Sequence, residues 1–377
     1  MFSFAALSPF LQNPYSLGFV AIWLSMGVVA STLWFFEKSF ATKTKVLESW
    51  FFWLFGLILI AFVVFRPIGI ARDDLTYMEM YKAICPTLAC GQWLQGGRDV
   101  GWYSLVGFLK SVVADARIML WIGAAGLLIK LAVIFNLTKY PLISLLFYTG
   151  IYYQVQDLTA WRVSLSLSIF MASIWILIRS RSYWSAWILL VCGFFHKQGF
   201  LAPMILVGII LKRSRFIFIL SVFGPIGLIF LGIYPNFESI AVFIGEKLNA
   251  SILIQGLDSY ISSMLAGAYS GWRRAPIVAF PLILITFWFL IRDFRIDNKI
   301  QTILTGCLVI ACLFLWGFTS LPDVQVRFFE FFMMPTVLLA GIRRLFGLEL
   351  LGVFFVSGVF VAKYNIVHQL IVHAGSS

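Results

Sequence analysis

Residues 50–65 read WFFWLFGLILIAFVVF and end on Arg66. The run carries no charge, and at 1.5 Å per residue it nearly covers a hydrocarbon core about 30 Å thick. Comparable apolar runs recur to the end of the chain, each bounded by charge. They can be read as helices near 17–36, 50–65, 118–135, 142–155, 163–178, 183–195, 200–211, 216–234, 277–291, 300–318, 328–342 and 345–364. The expected fold is therefore all-α, a polytopic transmembrane bundle of about 12 spans forming one membrane domain over residues 1–377.

The composition agrees with this reading. Of 377 residues, 61% are hydrophobic and 12% charged, against about 25% charged in a soluble domain, and the mean hydropathy is +0.96. The longest polar stretches, about 66–117 and 235–275, are broken by aromatic and apolar residues and leave no room for a separate soluble domain. The N-terminus lacks the charged region and small-residue cleavage site of a secretory signal peptide. The net charge of +12 is scattered between apolar segments, which points to topology signals and anion ligands rather than to nucleic acid. Cys192, Cys307 and Cys312 fall in apolar runs as small hydrophobes. Cys85 and Cys90 flank a turn, as a disulfide or as two thiols. No metal-ligand spacing occurs, and no cofactor is expected.

The connections alternate in character. One set is short and basic, with Lys38, Lys43 and Lys45, then Lys139, Arg179 and Arg181, Lys212, Arg213 and Arg215, Arg292, Arg295 and Lys299, and Arg343 and Arg344. The positive-inside rule places this set in the cytoplasm. The other set contains the two longer, extracytoplasmic loops and most of the 16 acids. It also contains arginines that orientation does not require, and these need another cause, either salt bridging among loops or a ligand.

Several clusters on that side can carry chemistry. Arg72, Asp73 and Asp74 are followed by Tyr77 and Tyr81, and on a helix Asp73, Tyr77 and Tyr81 share a face. A carboxylate beside two phenols suits a sugar, although an interfacial helix with an aromatic belt would look the same. Arg98, Asp99 and Trp102 lie in a glycine-flanked turn before an apolar run too short to span, read as a re-entrant or interfacial helix roofing a cavity. Asp157 and Arg162 sit where two spans join, and Arg162 opens a serine-rich helix. A guanidinium there suits phosphate, because it binds oxygens in pairs and keeps its charge. His196 and Lys197 form the tip of a hairpin whose arms, counted as α-helix, cover only roughly 18 to 20 Å each. That places an imidazole below the membrane surface as a candidate general base. Arg273 and Arg274 precede one span, and Arg327 opens another with Glu330 three residues on. With Arg162 they are expected to form a pocket for a pyrophosphate or similar anion.

At these residues the chain resembles the Wzy-type O-antigen and polysaccharide polymerases, in the branch related to EpsG. The resemblance rests on Asp74 with Tyr77 and Tyr81, on Asp99-Val100-Gly101-Trp102, and on Arg162 opening its helix. Phe195-His196 and Arg327 complete it. The family's usual Arg-Gln stands here as Arg162-Val163. The resemblance implies a metal-independent glycosyltransferase at the periplasmic face of the bacterial inner membrane. It would move a growing glycan from undecaprenyl pyrophosphate onto a new lipid-linked repeat. On this reading Arg162, Arg327, Arg273, Arg274 and Lys197 would hold pyrophosphate, and His196, Asp74 and Asp73 would serve catalysis. Arg72, Tyr77, Tyr81, Arg98, Asp99, Trp102 and Asp157 fall to sugar. Implied partners are the lipid-linked oligosaccharide, membrane lipid and a chain-length regulator protein, with no nucleic acid. A polyprenyl-linked single-sugar glycosyltransferase and an O-antigen ligase are the alternatives. A flippase or transporter fits less well, because charge gathers on one side and no internal repeat is visible.

Overall fold

The computed structural model describes residues 14–69, 73–84, 99–180, 183–233, 275–292, 299–318 and 322–374, and these residues are helical or connecting, with no strand among them. The first helical element, α1 (Pro14–Phe65), is 52 residues long. As a straight rod it would hold Gly18 and Phe62 about 66 Å apart. Instead, a Cβ on Gly18 would lie 3.8 Å from the Phe62 ring. The element therefore doubles back through its basic middle, giving two apolar arms, Leu17–Glu37 and Lys43–Phe65.

After α1 come α2 (Asp74–Ala83), α3 (Val100–Val112) and α4 (Ile118–Leu137). Next is α5 (Pro141–Tyr148), which continues without a break into a π-helix, Thr149–Asp157. Then come α6 (Trp161–Arg179), a 3-10 stretch Tyr183–Leu190 leading into α7 (Val191–Phe195), and a second 3-10 stretch Lys197–Val207 leading into α8 (Gly208–Leu211). The rest are α9 (Arg215–Phe230), α10 (Ala275–Arg292), α11 (Lys299–Gly317), α12 (Pro322–Met333), a 3-10 turn Met334–Leu338, α13 (Leu339–Ile342) and α14 (Gly347–Ala374).

Among the described residues, six segments are long and apolar enough to cross a membrane, and five further apolar helices are shorter. Six of the roughly twelve expected spans are thus long enough to cross among the described residues. Part of the difference lies where winding departs from α, and the rest is α9, α10 and α14, whose apolar segments count as shorter. The expected span at 142–155 is half α and half π. The arms around His196 are largely 3-10, with Pro203 inside the second, where it supplies no N–H for an α ladder. A 3-10 stretch rises about 2.0 Å per residue. The first arm therefore extends about 24 Å, further than α counting gives.

The chain divides into two compact units, one made of Met1–Phe200 with Val337–Ser377 and the other of Leu201–Thr336. In the first unit, α4 and α6 pack through small residues, and Ser168 donates to the Gly126 carbonyl at 2.8 Å. Without a hydrophobic drive between helices in lipid, such close backbone approach is what holds them together. The basic connections meet at one end of this unit. Tyr140 donates to Glu37 at 2.8 Å, Arg344 pairs with Glu37 at 3.4 Å, and the Lys139 and Tyr140 amides both donate to Gly341. The connections rich in acid and arginine meet at the other end of α4. Within the first unit, these basic and acid-rich connections thus lie at different ends.

In the second unit α11 is buried along most of its length. A Cβ on Gly306 would fall 1.7 Å from the Ile205 carbonyl oxygen, so backbone rests on backbone there. Phe314 stacks on Phe328 and Phe332 to join α11 to α12.

Candidate functional site

Arg66 is the first charge after the apolar arm of α1, and its guanidinium organises the acid-rich end of the first unit. It donates to both Asp74 oxygens, at 2.5 and 2.6 Å. A third bond runs from Nη2 to the Leu158 carbonyl at 2.8 Å. The Gly69 amide adds a bond to Asp74 at 3.0 Å, and the φ of +97° at Gly69 is backbone that a side chain would strain. The Arg66 and Asp74 side chains are 1% and 0% exposed. The pair therefore ties the start of α2 to the connection between the π-helix and α6.

The aromatic residues complete this tie. Trp161 lies beneath the Arg66 guanidinium at 5.5 Å. Tyr77 stacks on Trp161 at 4.9 Å and meets Trp102 edge-on at 5.7 Å. The Tyr77 hydroxyl accepts from the Arg162 amide at 3.3 Å, and the Tyr81 hydroxyl donates to the Val113 carbonyl at 2.5 Å. Tyr77 and Tyr81 do share a helix face, as their spacing requires. That face is turned into the core, where Trp102 and Trp161 are fully buried.

The more open part of the site is the Arg162 side chain, 31% exposed, paired with Asp99 at 3.0 Å. Asp99 also accepts from the Lys197 amide at 3.0 Å, and so links the start of α3 to the hairpin tip beside His196. Burial raises the Asp99 carboxyl above its ordinary range, opposed by the Arg162 charge and the Lys197 amide. Gly101 at the head of α3 lies against the Phe194 carbonyl, where a Cβ would sit 3.1 Å away. The apolar run expected after the glycine-flanked turn is α3, a 13-residue amphipathic helix whose head packs against the end of α7. His196 is buried, with 7% exposure. The Nε of Arg162 is buried and has no hydrogen-bond partner among the described residues. An anion supplying an oxygen there would satisfy it.

Of the residues singled out in the sequence, the structure thus brings Asp74, Tyr77, Trp102, Asp99, Arg162, Lys197 and His196 to one end of the first unit. Asp73 immediately precedes α2. Asp157, read from the sequence as a sugar ligand, is placed out of reach of a sugar. It is fully buried and paired with Lys130 at 2.5 Å. Arg327 is half-buried on α12, in the second unit. Arg72, Arg98, Arg273, Arg274, Cys85 and Cys90 lie outside the described residues. Among the described residues no cluster of His, Cys, Asp and Glu is placed to hold a metal ion. Sequence reasoning gave no role to Arg66, Trp161, Lys130 or Tyr148. For Lys130 a signal was present, since a lysine inside an apolar span demands a partner.

No curated protein and no solved structure matches the chain. The EpsG family model matches residues 49–362, from the second arm of α1 into α14, and takes in every part of this site. By that match the chain belongs to the EpsG family, as a polysaccharide-polymerase-like, multi-helix membrane protein.

Proposed function

We propose that the protein is a polymerase of lipid-linked glycan repeats, acting at the periplasmic face of the bacterial inner membrane. A growing chain on undecaprenyl pyrophosphate is transferred as a block to a new undecaprenyl-pyrophosphate-linked repeat. The acceptor hydroxyl forms a bond to the anomeric carbon, the bond from that carbon to the pyrophosphate oxygen breaks, and undecaprenyl pyrophosphate leaves with the electron pair.

The observation that supports this most is Arg162. It is a partly exposed guanidinium with an unsatisfied buried Nε, on a chain whose family match spans the whole site. Charge develops on the leaving pyrophosphate, and a fixed donor aimed at that charge lowers the barrier. Arg162 fills that role, with Lys197 beside it at the hairpin tip. The hydroxyl proton passes to His196 or Asp73, the two candidate bases. Asp74 already accepts from Arg66 and from the Gly69 amide, which suits it to holding the loop that carries Asp73.

The test is to supply purified protein with synthetic undecaprenyl-pyrophosphate repeats and resolve the products by size. A ladder of chain lengths is expected. A product longer by one sugar would favour the single-sugar transferase reading, and no product with a matched repeat would overturn the polymerase.

A further inference from the structure

One buried charged cluster has no part in the chemistry above. Lys130 of α4 lies 2.5 Å from one Asp157 oxygen and 2.8 Å from the Ser164 hydroxyl, which itself donates to that oxygen at 2.5 Å. Tyr148 donates to the other Asp157 oxygen, and the Lys130 ammonium stands 5.7 Å from the Tyr148 ring. All four residues have no exposure. An ion pair held in so apolar a place needs a reason.

Winding supplies one. Tyr148 and Asp157 are nine residues apart. At 3.6 residues per turn, nine residues end on the opposite side of a helix. At about 4.4 residues per turn, the pitch of i to i+5 bonding, they end on the same side after two turns. The residues Thr149–Asp157 are a π-helix, so the bond between the two side chains is one that the wide winding permits and α winding would break. The winding runs on into the site. The Leu158 amide closes the last i to i+5 bond on Tyr153 at 3.2 Å. The Leu158 carbonyl then receives Arg66, and Arg162 follows four residues later.

We propose that Lys130, Tyr148, Ser164 and Asp157 are positioning residues. Their cluster locks the π winding of Thr149–Asp157 and thereby sets the Leu158 carbonyl under Arg66 and Arg162 at the mouth of the site. They act through the backbone and touch no substrate. The kinetic consequence rests on the polymerase reading, whereas the structural one does not.

Tyr148→Phe tests this most cleanly, because it removes one hydroxyl and keeps the ring. It is combined with Thr159→Cys, a partly buried reporter on the connection, in the full-length chain reconstituted in lipid nanodiscs. Labelling by a membrane-impermeant maleimide is compared with the chain lacking that cysteine. In protein that stays monodisperse, Tyr148→Phe is expected to change the labelling rate about fivefold or more, and Lys130→Met in the same direction. Ser173→Ala, a buried serine bonded to Ile169 and Ile188 of the same unit, should leave the rate unchanged. An unchanged rate in folded Tyr148→Phe overturns the inference, even if Lys130→Met fails to fold. With lipid-linked repeats, Tyr148→Phe is expected to lower kcat about tenfold with KM for the donor held within twofold. A shifted labelling rate with unchanged kcat would overturn the positioning role. Absence of any ladder from the parent chain would overturn the polymerase reading and leave the labelling result standing.

Discussion

Arg66 and Asp74 should behave as one unit in a double-mutant cycle. Their side chains are 1% and 0% exposed, so water cannot replace a missing partner. Removing one member of such a pair costs about 3–5 kcal/mol, since a charge is left buried and uncompensated. Asp74→Leu strands a guanidinium that keeps the Leu158 carbonyl at 2.8 Å and the Trp161 ring at 5.5 Å. Those contacts bring the expected loss to the low end, about 3 kcal/mol. Arg66→Met leaves the Asp74 carboxylate accepting from the Gly69 amide but without its cation, and about 4 kcal/mol is expected. Independent effects would sum to about 7 kcal/mol. The double variant removes both charges and leaves apolar side chains of similar volume, which is often close to neutral. The lost bonds to the Leu158 carbonyl and the Gly69 amide leave an expected loss of about 2–3 kcal/mol for it, hence a coupling of about 4–5 kcal/mol. The assay is reversible unfolding in mixed detergent micelles for the parent, both single variants and the double variant, read at the same transition. Additivity within about 0.5 kcal/mol, as found for sites that do not interact, would refute this account of the clamp and the ordering role given to Asp74.

Three further outcomes are expected. Arg162→Lys keeps the charge and loses the paired geometry, so polymer formation should fall about 10-fold to 100-fold, and Arg162→Ala further, at unchanged membrane abundance; activity at the parent level in both would remove Arg162 from the site. Asp99 has its carboxyl raised by burial, so the native state holds that proton more tightly than the unfolded chain does. Its contribution to stability is then full below the unfolded value and declines as pH rises toward the raised one, with a slope of at most about 1.4 kcal/mol per pH unit. Unfolding measured from pH 4 to 7 should therefore show the parent losing stability relative to Asp99→Asn, and a constant difference would refute the assignment. Gly306→Ala drives a methyl against the Ile205 carbonyl, 1.7 Å away; overpacking of this kind costs about 1–3 kcal/mol. Gly227→Ala, with nothing within 4 Å, should be neutral or stabilising by about 0.5–1 kcal/mol, and equal effects of the two would contradict the close packing of α11.

How much of this could be read in the sequence depends on whether each feature was local. The apolar runs, the alternation of basic and acid-rich connections, and the grouping of Asp74, Asp99, Arg162 and His196 all follow from residue type and order, and the runs and the grouping are found in the first unit. The Tyr77–Tyr81 face was also legible from spacing, but what it faces was not. Trp161 lies 84 residues beyond Tyr77, and no periodicity in α2 reveals a ring stacked on it. The π-helix was invisible for a deeper reason. Residues 142–155 are apolar enough to read as a spanning α-helix, and nothing in composition separates 3.6 residues per turn from the wider winding. What separates them is the bond from Tyr148 to Asp157, nine residues on, with Lys130 holding the same carboxylate from α4. Taken together these residues carry information that none carries alone. A lysine that must find a carboxylate, and a tyrosine nine positions ahead of that carboxylate, are satisfied together only if the intervening helix is wound wide. In a membrane chain an unexplained intramembrane charge is therefore a constraint on backbone winding, and pairing it with each acid in reach at α, 3-10 and π pitch would have found this cluster from the sequence.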